Sequence, residues 1–265
     1  VRAAFDVARE QQRALLVGYL PAGFPSVATC IDAATAMVEA GVDVVEIGLP
    51  YSDPVMDGPV IQQAVDRSLA AGTRITDVIA TAGAVAATGA PTLVMTYWNP
   101  IERYGVDRFA QDLAAAGGSG TITPDLTPEE SAPWIAASSA EGLDTVFLVA
   151  PSSPDARIAI VDGITTGFIY AASTMGVTGT RAQVGDRAAE LVGRVRKLSD
   201  APVAVGLGVS TPAQAAEVAG YADGVIVGSA FVRRLLDAGD DHARGIADVK
   251  ALAAELSAAV RSVVR

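Results

Sequence analysis

The sequence predicts an α/β chain of the (β/α)8, or TIM-barrel, class, and three observations lead there. Short β-branched runs alternate with alanine-rich helical stretches along the whole chain. The runs are mostly continuously apolar, as parallel strands buried on both faces require. Eight such units follow one another in 265 residues, and a closed barrel of this kind needs roughly 250. A doubly wound open sheet is the alternative that the same alternation allows.

In chain order, an N-terminal helix over residues 2–12 is expected to cap the barrel floor. Strands are expected at residues 15–20, 42–48, 91–97, 120–123, 145–150, 167–172, 202–206 and 224–227. Helices are expected at 27–40, from about Val60, at 74–87, 128–140, 186–198 and 212–219, with a short one at 229–236. In the last helix Ile246, Val249, Leu252, Leu256, Val260 and Val263 fall on one face, the spacing of an amphipathic helix laid on a core. No linker or low-complexity stretch divides the chain, so residues 1–265 read as one domain.

Composition narrows the chemistry. Hydrophobic residues make up 51%, enough for a large core, and the formal net charge is −11. That field repels nucleic acid. A single cysteine, Cys30, rules out a disulfide framework and fits a reducing cytosol. The first residues carry no apolar signal core, and no apolar run approaches the roughly 20 residues of a membrane span. The reading is therefore a cytoplasmic protein. His242 is the only histidine, and Lys197 and Lys250 are the only lysines. Chemistry here is expected to proceed without a histidine base, a histidine-bound metal or a Schiff-base lysine.

Three features are candidates for function. The first is Val44-Val45-Glu46-Ile47-Gly48. A carboxylate in an apolar parallel strand is costly to bury. If Val44 faces the barrel interior, Glu46 does too, near the strand end where barrel enzymes place catalysis. Desolvation there suits it to proton transfer; a structural ion pair is the other reading. The second is the loop Pro50-Tyr51-Ser52-Asp53-Pro54-Val55-Met56-Asp57-Gly58-Pro59. Asp57 before glycine can be a mere turn residue, but a stiff acidic loop beside Glu46 favours function. The third is a set of glycines after the last three strands, at 176–179, 206–210 and 228–229. Glycines let backbone N–H groups approach a ligand, and a helix starting at Ser229 would aim its N-terminus at an anion. Barrels often bind phosphate there. The dinucleotide fingerprint fails, because Thr211 stands at the third glycine position. The loop 173–187 reads either as a lid over a phosphorylated substrate or as an ordinary surface loop.

Together these segments resemble the tryptophan synthase α subunit over nearly the whole chain. The most specific stretch runs from Glu46 to Pro59, matching E-[LIV]-G-[VIL]-P-[FY]-S-D-P-x-x-D-G-P. Further matches are Tyr19-Leu20-Pro21-Ala22-Gly23-Phe24-Pro25, Met95-Thr96-Tyr97-Trp98-Asn99-Pro100, Pro124-Asp125-Leu126, Gly176-Val177-Thr178-Gly179 and Gly206-Leu207-Gly208-Val209. The first of these is similar to the form found in actinobacterial members.

The resemblance implies cleavage of indole-3-glycerol phosphate to indole and glyceraldehyde 3-phosphate, a carbon–carbon lyase reaction. It gives Glu46 the role of acid/base at indole C3 and the glycerol hydroxyl, and Asp57 that of acceptor for the indole N–H. It places Tyr19 and Tyr170 near the substrate, Gly179, Gly208, Gly228 and Ser229 around the phosphate, and Thr178 on a lid that contacts the aspartate. It implies an αββα complex whose β subunit carries pyridoxal phosphate, with no cofactor and no metal in this chain. The partner surface would include Asp53, Pro54, Asn99, Pro100 and Asp125. One departure stands out: Thr127 lies two residues after Asp125, where many relatives have proline; Tyr51 in place of the commoner Phe fits the pattern.

The inventory of residues fits that chemistry. Both lysines fall in helical segments and no histidine cluster exists to hold a metal. An indole protonated at C3 is its own electron sink and needs only an acid/base and a counter-charge near N1, which two carboxylates in different environments supply. A stand-alone indole-3-glycerol phosphate lyase shares these residues. A non-catalytic phosphate-binding regulator would tolerate their loss, and a metal-dependent epimerase barrel would need histidines that are absent.

Overall fold

The computed structural model describes residues 1–172, 186–206 and 208–264. Nine parallel strands form one sheet: β1 (Leu15–Pro21), β2 (Val44–Gly48), β3 (Thr92–Met95), β4 (Gly120–Ile122), β5 (Asp144–Val146), β6 (Leu148–Val149), β7 (Ile169–Ala172), β8 (Val203–Gly206) and β9 (Gly224–Val227). Their order is β5-β4-β3-β2-β1-β9-β8-β7-β6. The two ends of that list are neighbours in the chain, separated only by Phe147. The Tyr170 N–H donates to the Phe147 carbonyl at 3.1 Å, so the sheet comes round on itself as a (β/α)8 barrel. The single strand expected at 145–150 is thus divided in two at this seam. An open sheet would leave β5 and β6 far apart.

The helices are α1 (Arg2–Glu10), α2 (Val27–Glu39), α3 (Pro59–Ala70), α4 (Ile75–Ala86), α5 (Trp98–Tyr104), α6 (Val106–Ala115), α7 (Ala132–Ala140), α8 (Asp155–Ile164), α9 (Asp186–Val195), α10 (Pro212–Ala219), α11 (Ser229–Ala238) and α12 (His242–Arg261). Helix α7 starts four residues later than expected, because residues 128–131 form a turn. There the Ser131 hydroxyl and N–H both donate to the Pro128 carbonyl. Helix α5, which the sequence reading does not anticipate, begins directly after the strand expected at 91–97. Its first N–H, at Trp98, donates to the Asp125 carboxylate at 2.9 and 3.1 Å, so a side chain from another loop satisfies a donor that the helix cannot.

Side chains divide cleanly between two cores. Inside the barrel, Leu15, Val17, Val44, Leu93, Ile122, Val146, Phe168, Ala204 and Ile226 pack together. Phe5 of α1 closes the floor on Phe168, with ring centroids 5.3 Å apart. Between strands and helices, Leu16, Val45, Ile47, Val94, Phe109, Trp134 and Leu256 form the larger core. Val44 inside and Val45 outside settle the phase of β2, and Glu46 follows Val44 inward. In that outer layer Cys30 of α2 is fully buried, its thiol donating to the Pro21 carbonyl at 3.4 Å.

Candidate active site

Glu46 lies one residue pair from the top of β2, in register with Tyr19 of β1 and Leu93 of β3. It is 1% exposed. It forms no ion pair among the described residues, and its Oε1 is buried without a hydrogen-bond partner among them. Burial alone pushes its carboxyl up to about 8. A structural ion pair between layers is therefore not what holds this glutamate.

Asp57 reaches the same place from the loop between β2 and α3. Burial pushes its carboxyl up to about 6, while the nearby Tyr97 hydroxyl pulls it down. Its carbonyl accepts from the Gln62 side-chain amide at 2.7 Å. Both carboxyls line one cleft at the carboxyl ends of the strands, together with Tyr19, Ile61, Met95, Tyr170, Gly208, Val209, Ile226, Gly228 and Ser229. The cleft is mostly apolar with few polar groups, the usual make-up of a small-molecule site.

Two tyrosines reach across neighbouring strands only because glycines let them. A Cβ at Gly48 would lie 2.2 Å from the Tyr19 hydroxyl, and one at Gly206 would lie 2.0 Å from the Tyr170 hydroxyl. Both phenols are held well above their ordinary pKa, first by burial; the Glu46 charge adds to this in each case. Neutral phenols beside a protonated glutamic acid keep this part of the cleft uncharged. Gly206→Ala is expected to push Tyr170 out of place and to cost about 1–3 kcal/mol by overpacking, read as a lower urea midpoint together with a lower kcat/KM. An unchanged midpoint and kcat/KM would show that Tyr170 gives way freely.

On the far side, Gly208 has φ 123°, a backbone state open to glycine and strained for other residues. Gly228 caps α11, so the first turn of that helix, from Ser229, opens at the cleft. Its N–H groups carry the positive end of the helix dipole and suit an anion. Of the expected phosphate residues, Gly208, Gly228 and Ser229 thus meet at one edge. Thr178 and Gly179, with loop 173–185, lie outside the described residues.

The expected partner residues spread over three neighbouring loops. Asp53, Asn99 and Asp125 are exposed and Pro54 partly so, whereas Pro100 is buried in α5 and offers no surface of its own. Sequence reasoning missed Tyr97, which it placed only at a strand end. It also missed Ile61, Met95, Val209 and Ile226 as cleft walls, since apolar residues there carry no local mark of a site. The only histidine, His242, bonds Thr29 between α12 and α2 at 3.1 Å and does not line the cleft. Lys250 pairs with Glu39 on the surface at 2.6 Å. Among the described residues no three His, Cys, Asp or Glu side chains gather to hold a metal, and no helix is long and apolar enough to cross a membrane.

Fold and cleft together place the chain among the (β/α)8-barrel enzymes that carry acid–base groups at the carboxyl ends of their strands. Residues 5–261 match the family model for the tryptophan synthase alpha chain. The tryptophan synthase alpha chain of Thermobifida fusca is 60% identical over 97% of this chain and 96% of its own length. That of Streptomyces coelicolor is 61% identical over 96% and 94%. A solved structure of Mycobacterium tuberculosis tryptophan synthase superposes with a TM-score of 0.91 at 53% identity, covering 98% of this chain and 97% of that one. The chain belongs to the tryptophan synthase alpha chain family.

Proposed function

We propose that this single-domain barrel cleaves indole-3-glycerol phosphate to indole and glyceraldehyde 3-phosphate, as the α subunit of a tryptophan synthase. The observation that carries this reading is the pair of carboxyls in one cleft with opposite protonation at neutral pH. Glu46, pushed up to about 8, holds its proton; Asp57, pushed up only to about 6, is ionised. Protonated Glu46 can give its proton to indole C3, which makes the ring an electron sink. Asp57 accepts the indole N1–H and balances the positive charge spreading over the ring. The resulting Glu46 carboxylate then takes the proton of the glycerol hydroxyl next to C3. The carbon–carbon bond breaks, its electrons return to the ring, and the hydroxyl carbon leaves as an aldehyde. Ile61 and Met95 offer the indole an apolar bed, and Tyr19 and Tyr170 flank it. The edge at Gly208, Gly228 and Ser229 takes the phosphate.

The partner is a β subunit in an αββα assembly, seated over Asp53, Pro54, Asn99 and Asp125. Pyridoxal phosphate belongs to that subunit, and the α chain works without a cofactor in the cytoplasm. An indole-release assay on the full chain, with and without β subunit, tests the reading. Indole release that accelerates with β subunit supports it. A rate indifferent to β subunit would favour a stand-alone lyase, and no release in either case would overturn the activity.

A further inference from the structure

We propose that Tyr97 is a positioning residue for Asp57, its hydroxyl holding the Met56 backbone N–H beside Asp57 while the Tyr51–Asn99 pair holds its ring. This rests on the role proposed for Asp57 above.

Residues 49–58 contain no helix or strand, so no ladder of backbone bonds fixes where Asp57 points. Two side chains do so instead. Gln62 grips the Asp57 carbonyl from α3 at 2.7 Å. Tyr97, 6% exposed between β3 and α5, works from the other side. Its hydroxyl accepts the Met56 N–H at 3.0 Å and lines one small pocket with Asp57, where its nearness favours the ionised carboxylate.

The ring of Tyr97 is itself held. It packs on Tyr51, with centroids 5.4 Å apart and planes tilted by 36°. Asn99 donates its side-chain amide to the Tyr51 hydroxyl at 3.0 Å, a bond that phenylalanine at 51 could not accept. The neighbouring Trp98 N–H is fixed by Asp125. The loop after β2 is thereby stitched to the segment after β3, whose outer end, Asn99, is exposed. Other ionisable groups face Asp57 across the cleft: Tyr19 from β1 and Glu46 from β2. Asp125 acts on Tyr97 from the loop after β4. None of the described hydrogen bonds reaches the Asp57 carboxylate; the backbone on either side of it is what is held, at the Met56 N–H by Tyr97 and at the Asp57 carbonyl by Gln62.

Tyr97→Phe removes the hydroxyl and keeps the ring packed on Tyr51; Tyr51→Phe removes only the bond from Asn99. The full chain, with 13C-labelled aspartate carboxyl carbons, is titrated by NMR, the Asp57 signal being identified by its loss in Asp57→Asn. Tyr97→Phe is expected to raise the Asp57 midpoint, because the hydroxyl that favours the ionised form is lost. It should lower kcat by about 10- to 100-fold, as the Met56 N–H loses its partner and Asp57 is no longer held in place, and change KM far less. Tyr51→Phe should move both quantities the same way by less. An unmoved Asp57 midpoint in Tyr97→Phe overturns the proposal, and so does a moved midpoint with unchanged kcat. If the unaltered chain releases no indole, the proposed activity fails, while the titration still decides whether Tyr97 holds Asp57.

Discussion

Glu46→Gln is expected to lower turnover by a factor of roughly 10²–10⁴, as loss of a group that moves protons does, and to stabilise the folded chain at alkaline pH. The two effects share one cause. Glu46 is buried without a cation, so the fold holds its carboxyl at about 8 against an ordinary 4.5. Between those values the folded chain keeps a proton that the unfolded chain has released. Stability therefore falls as pH rises through this window. Above pH 8 the full cost is present, on the order of 5 kcal/mol. Glutamine has nearly the same shape and no charge at any pH, so it does not carry this cost. Urea midpoints of both proteins at pH 5 and pH 9 check the argument: the wild type should lose stability relative to the variant across that interval. Equal shifts would mean that Glu46 is not held protonated by the fold. In the indole-release assay kcat should collapse with KM nearly unchanged, the signature of a group used in the transition state. Normal turnover would remove Glu46 from the mechanism.

Asp57→Asn is expected to lower kcat by about 10²–10³-fold, the usual cost of removing one preorganised electrostatic partner. Asparagine can still accept the indole N–H through its carbonyl, so binding survives better than rate. What it cannot supply is the negative charge that the ring needs once C3 is protonated. The pH profile separates this from a general loss of structure. Activity requires Asp57 ionised, so it falls as pH drops through about 6. It also requires Glu46 protonated, so it falls as pH rises through about 8. The wild type should give a bell with those two limbs. Asp57→Asn should lose the acid limb and keep the alkaline one. A variant that keeps both limbs would assign the acid limb to another group.

Much of this was legible in the chain because it rests on local pattern. The continuous apolar runs at 15–20 and 224–227, alternating with helical stretches, read as strands buried on both faces, and the face from Val249 to Val260 reads as a helix on a core. Glu46 stood out because a charge inside such a run is expensive. What stayed hidden depends on partners distant in sequence. Phe147 divides a strand because the barrel closes there. Trp98 opens a helix because Asp125, from another loop, satisfies its N–H. Gly48 and Gly206 read as strand ends, yet their lack of a side chain makes room for Tyr19 and Tyr170. Tyr97 has the residue type of a strand end, and only the folded loop turns it towards Asp57.

The lone thiol of Cys30 has a use of its own. It is fully buried beneath α2, and burial pushes it up to about 12, so in the closed protein there is almost no thiolate for a labelling reagent to meet. Modification must wait until α2 lifts from the barrel wall. With no second sulfhydryl to blur the signal, the labelling rate of the unaltered chain becomes a clock for that single opening. It can be timed in the presence and absence of substrate, without introducing any probe.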